Sequence, residues 1–111
     1  MPNKAGPALD ELDDQIIDLV GNHVRRRKAE YEKVAIKLKN KLRDDVVRYS
    51  EALDARKINR EDYEMLIRGR YAQLKIELLE QASVSRAKFD LITADVVRLV
   101  IKTGIDAAKE A

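Results

Sequence analysis

The chain has 111 residues, with 22 Lys and Arg against 20 Asp and Glu, so 38% of it is charged while the formal net charge is only +2. It has no Cys and a single His, which excludes disulfide frameworks, thiolate zinc sites, cysteine nucleophiles and multi-histidine metal sites within one chain. Four Gly and two Pro against 45% hydrophobic residues favour helix, and the length allows one domain.

Residues 1–6 read as a flexible tail, and Pro7 suits the first turn of a helix, where its missing N–H is not needed. The acids Asp10, Glu11, Asp13 and Asp14 then fall near the positive end of the helix dipole. Apolar residues advance in steps of three and four through Leu9, Leu12, Ile16, Val20, Val24, Tyr31, Val34, Leu38, Leu42, Val46, Tyr49 and Leu53. With no Pro in this run, the simplest expectation is one helix over about 7–56, roughly 75 Å long at 1.5 Å per residue.

The pattern stops at Arg56-Lys57-Ile58-Asn59, and a turn is expected at about 57–59. Asn59 can cap a following helix, with Asp62 at its third position. A second helix over about 60–104 carries Tyr63, Ile67, Leu74, Leu78, Phe89, Ile92, Val96 and Val100, and is expected to fray after Gly104. Apolar positions recur every eleven residues, as Leu9, Val20, Tyr31, Leu42 and Leu53 and again as Ile67, Leu78, Phe89 and Val100. That period keeps a helix nearly straight instead of winding it into a left-handed coiled coil.

Folding back at residue 58 sets apolar residues opposite one another: Leu42 meets Leu74, Leu38 meets Leu78, Val24 meets Ile92 and Ile16 meets Val100. The same alignment sets Asp45 opposite Arg70, Tyr31 opposite Ser85, Arg27 opposite Phe89 and His23 near Thr93. The expected fold is therefore all-α, a hairpin of two long antiparallel helices. Weak points at Gly21-Asn22 and Ser83-Val84-Ser85 leave four shorter helices as the alternative.

A two-helix seam leaves a second apolar set unburied, including Ile17, Ala35, Val47, Met65, Leu79, Leu91, Val97 and Ile101. The sequence therefore predicts a homodimer forming an elongated four-helix bundle, with self-association through Ile16, Ile17, Val20, Val96, Val97, Val100 and Ile101. Another helical protein is the alternative occupant of that groove.

Residues 25–43 hold nine bases against two acids, and Arg25, Arg26, Arg27, Lys28, Lys33, Lys37 and Lys41 are candidates for contacting nucleic acid or another polyanion. No nucleic-acid-binding motif accompanies them. His23 sits between Val20 and Val24 and reads as a structural, hydrogen-bonded histidine. The Glu-x-x-His spacing of carboxylate metal sites and Gly-rich phosphate loops are both missing. No catalytic, metal or cofactor site is expected, and the anticipated role is that of a non-enzymatic interaction or assembly protein, such as an adaptor, scaffold or small chaperone. Residues 1–14 lack the apolar core of a secretory signal and no apolar run is long enough to span a bilayer, so a cytoplasmic location is expected.

Overall fold

The computed structural model describes residues 3–110, with only the backbone of Glu110. Among these residues there are five helices and no strand: α1 Ala5–Asp10, α2 Asp13–His23, α3 Lys28–Asp54, α4 Arg60–Gln81 and α5 Arg86–Glu110. Helix thus begins two residues earlier than expected, and Ala5 and Gly6 of the anticipated tail are buried. Asn3 is also anchored, its amide donating to Ser50 Oγ at 2.8 Å. The rest of that tail, Met1 and Pro2, lies outside the described residues.

The α3–α4 connection forms as its residue types dictate. Asn59 accepts from the Asp62 backbone N–H at 2.8 Å, and the Asp62 carboxylate accepts from the Asn59 N–H at 3.3 Å, a reciprocal capping box. Arg56 takes the left-handed conformation, with φ 59°, and reverses the chain.

The two long continuous helices do not form. Arm one breaks over Val24–Arg27, where Val24 is extended and Arg27 adopts φ 56°. Arm two breaks over residues 82–85, beginning with extended Ala82. Gly21 and Asn22 weaken the last turn of α2, and four adjacent bases would repel one another along a continuous helix. Ser83-Val84-Ser85 similarly offers little helix propensity at the second break.

Both arms bend at the same level, so α2 and α5 fold back beside α3 and α4. The extents are 43 × 25 × 17 Å, and the radius of gyration of 13.9 Å is close to the roughly 13 Å expected of a compact chain this long. Directions follow from named pairs. Lys37–Gln81 and Lys41–Glu77 run α4 antiparallel to α3, while Asp13–Lys39 and Asp10–Arg43 run α2 and α1 antiparallel to α3. Tyr31–Ser85 and Ser50–Gly104 set α5 parallel to α3.

One continuous core runs the length of the bundle, through Leu9, Ile16, Val20, Leu38, Leu42, Val46, Ile67, Leu78, Phe89, Ile92, Val96 and Val100. Its polar members are individually satisfied. Ser50 Oγ donates to Gly104 O at 2.6 Å, Thr93 Oγ1 donates to Phe89 O at 2.8 Å, and Tyr63 OH donates to Ile101 O at 3.1 Å. Burial pushes the Tyr63 hydroxyl well above its ordinary titration range. Helix α5 continues through Gly104 instead of fraying there, and the missing side chain of Gly104 leaves room for the Tyr63 hydroxyl.

The short α1 is held by charge as well as by Leu9. Arg43 donates to both Asp10 oxygens, at 2.7 and 3.0 Å, and this hydrogen-bonded guanidinium lowers the Asp10 carboxyl below its ordinary 3.8. A depressed folded-state value contributes stability above the unfolded value that is lost as pH falls through the folded one. Acidification below about pH 4 is therefore expected to speed amide exchange in α1 ahead of the other helices. Arg43→Met should show fast α1 exchange already at neutral pH; a pH dependence identical to the parent chain would contradict the assignment.

Candidate functional site

The residues expected to form a dimer core are used inside the chain. Ile16, Val20, Val96, Val97 and Val100 are fully buried, Ile101 is 6% exposed and Ile17 is half-buried. Bending each arm brings these side chains against the same chain's other helices, so the four-helix packing expected from two molecules is completed by one. Of the second apolar set, Ala35, Val97 and Ile101 are absorbed in this way. Met65 and Leu91 are not.

Among the described residues the exposed large hydrophobic ones are Met65 and Ile76 at 66%, Leu91 at 51% and Leu66 at 40%. Three of the four lie on α4. Met65, Gly69, Ala72 and Ile76 follow one another at four, three and four residues, so they share one face of that helix, opposite its buried Tyr63, Ile67, Leu74 and Leu78. The face is about 16 Å long, with large side chains at both ends and a shallow centre. A Cβ built on Gly69 meets nothing within 4 Å. Glu61, Glu64 and Arg68 border its first half, Arg68 donating to Glu64 at 3.1 Å.

The structure divides the predicted basic belt. Lys37 donates to Gln81, Lys41 lies 3.5 Å from Glu77, and Lys39 is buried and donates to Asp13 at 2.6 Å. These bases hold helices together. Arg25, Arg26, Arg27 and Lys28 are all exposed at the α2–α3 connection, and Lys33 is exposed one turn into α3. Arg27 turns away from Phe89, with which the alignment paired it, and donates to Ser83 O at 2.7 Å. That bond joins the two breaks at one end of the bundle.

His23 Nε2 lies 2.7 Å from Asp95 Oδ2, and Arg98 donates to the other Asp95 oxygen at 3.1 Å. The expected neighbour Thr93 instead bonds Tyr71 across α4 and α5, at 2.5 Å. His23 therefore fastens the end of α2 to α5. Asp45 and Arg70, set opposite one another by the alignment, form an ion pair at 3.0 Å, with Arg48 2.8 Å from the same carboxylate. Among the described residues there is no group of three or more His, Cys, Asp or Glu placed to hold a metal ion, and no helix long and apolar enough to cross a membrane. An open surface hollow of about 320 Å³ lies between α3 and α4, bordered by Lys33, Lys37, Leu78 and Gln81.

Sequence reasoning missed Lys39 as a core residue, although the apolar Ala35, Leu38, Leu42 and Val46 bracket it at helical spacing. The outer face of α4 is not evident from the sequence pattern, in which Met65 falls within the second apolar set and Ile76 stands apart from it. No protein-family model, curated protein or solved structure matches the chain.

Proposed function

We propose that the protein is a non-enzymatic interaction or assembly protein, in the class of adaptors, scaffolds and small chaperones, that acts as a homodimer through the outer face of α4. The observation that carries this reading is Gly69. A glycine inside a 22-residue helix costs about 1 kcal/mol relative to Ala, and nothing within the chain approaches it closely enough to require the missing side chain. Close approach by a second molecule gives it a use.

A second copy is the occupant because the face is complementary to itself. It contains both the protrusions, Met65 and Ile76, and the hollow over Gly69 and Ala72 that receives them, which is what a twofold contact requires. Crossing two α4 helices at Gly69 covers Met65 and Ile76 of both copies. The dimer of this proposal thus uses a face different from the one expected from sequence, whose residues are engaged in the chain's own core.

Gly69→Leu separates folding from association. It is expected to keep the helical circular dichroism of the parent and to raise monomer stability by roughly 0.5–1 kcal/mol, while weakening the dimer at least about 100-fold. Sedimentation velocity from about 1 to 100 μM reads the second effect. A parent chain that stays monomeric across that range, or a Gly69→Leu variant that dimerises as well as the parent, overturns the proposal.

A further inference from the structure

The geometry points to a binding site for the phosphate backbone of duplex nucleic acid, made by the two connections that meet at one end of the bundle. Segments 24–28 and 82–88 contain Arg25, Arg26, Arg27, Lys28, Arg86 and Lys88 and no acid. They are distant in sequence, but the bond from Arg27 to Ser83 O at 2.7 Å and that from the Ser85 N–H to Tyr31 OH at 3.1 Å hold them side by side. All six cations are exposed.

Further along α3, Lys37, Lys39, Lys41 and Arg43 each have a polar or acidic partner on a neighbouring helix, whereas Lys33, one turn from this end, has none among the described residues. At this end the matching stops. Among the described residues Arg25, Arg26 and Lys88 have no carboxylate partner, and Arg27, Lys28 and Arg86 reach theirs only at 3.8 to 4.0 Å. The charge also opposes the backbone: α3 and α5 both begin here, and the positive ends of their dipoles favour anions over the bases that surround them. An external polyanion relieves the mutual repulsion and the dipole conflict together.

The form of the polyanion follows from the surface. Six cations spread over an end about 25 by 17 Å across exceed what one phosphate group occupies and suit a run of phosphates. Single-strand binders add to a basic groove exposed aromatic rings on which bases stack, and the aromatic residues at this end, Tyr31 and Phe89, are buried. Recognition of a duplex backbone needs no such ring and carries no base sequence. This surface is separate from the α4 face, so it stands or falls independently of the proposed dimer.

The test is fluorescence anisotropy of a labelled duplex of about 20 base pairs, titrated with the full chain between about 50 and 200 mM salt. The expected slope of log affinity against log salt is roughly −4 to −5, about −0.9 for each phosphate neutralised. Arg25→Ser with Arg26→Ser should reduce its magnitude by about 2 with circular dichroism unchanged, whereas Lys57→Ser with Arg60→Ser, at the other end, should leave it unaltered. Three results overturn the inference: no duplex binding at about 50 mM salt, equal losses from the two double variants, or preferential binding of a single strand or of anionic lipid vesicles over the duplex.

Discussion

Val97→Asp is expected to leave the chain unfolded at every protein concentration. Val97 is fully buried, and an isolated carboxylate placed there costs several kcal/mol in lost solvation in addition to the lost apolar burial. Small domains have only about 5–15 kcal/mol of stability, so one such residue consumes most or all of it. Val97→Ala keeps the site apolar and is expected to cost about 2 kcal/mol, leaving a folded protein with a lower Tm. The pair discriminates between two places for Val97. In a core completed within one chain, Val97→Ala lowers stability without changing the dimer dissociation constant; in a dimer seam, it weakens association in proportion. Chemical denaturation and sedimentation of the same variant separate these outcomes.

Gly104→Ala is expected to be the most disruptive single-methyl change. In most helix interiors this substitution stabilises, by about 1 kcal/mol. Here the added Cβ collides with the Tyr63 hydroxyl and comes within 3.1 Å of a Val46 methyl. The Tyr63 ring is fully buried and its hydroxyl is held by Ile101 O, so it has no free space into which to turn. Overpacking of this kind typically costs about 1–3 kcal/mol, and displacing the hydroxyl adds the loss of its hydrogen bond. A net loss of about 2–4 kcal/mol corresponds to a fall in Tm of roughly 10–20 °C. Tyr63→Phe in the same chain removes the colliding oxygen, so the double variant should be more stable than the two single effects add up to. A higher Tm for Gly104→Ala would show that α4 and α5 are not packed as described.

Local chemistry was the most legible part of this chain. The Asn59–Asp62 capping box, the turn after Arg56 and the helical spacing of the core each depend on residues a few positions apart. Long-range pairing was legible but degenerate. Aligning the two arms about residue 58 correctly juxtaposes Tyr31 with Ser85 and Asp45 with Arg70. Yet those pairings are the same whether the arms stay straight or both bend at one level. Straight arms and folded arms differ in where Val97, Ala35 and Ile101 find partners, and periodicity assigns a face without naming the surface it meets.

The sequence offers weak points at Gly21-Asn22 and Ser83–Ser85; the second arm does break at residues 82–85, but Gly21 and Asn22 stay within α2 and the first arm breaks just beyond them, at Val24–Arg27. The basic run carries a similar ambiguity. Lys39 belongs to the basic run by composition, but its position between Ala35, Leu38 and Leu42 buries it, and Asp13 neutralises it from a helix that a straight arm would place far away. Removing such committed bases from the belt leaves the free charge concentrated at one end. The exposed α4 face was the least visible, since a helix apolar on both sides shows little amphipathic contrast.

The central claim, that the four-helix packing is completed within one chain, is tested most directly by an intramolecular distance. The natural absence of Cys allows labels at Lys4→Cys and Ala55→Cys with no background. Asn3 is hydrogen-bonded to Ser50 at 2.8 Å, so these two positions lie within about 20 Å in the folded bundle, allowing for the few residues of chain to each label. Energy transfer or dipolar spectroscopy, with the doubly labelled chain diluted in excess unlabelled protein, should report that short distance. A separation of about 70 Å or more, as two continuous helices would give, would contradict the account.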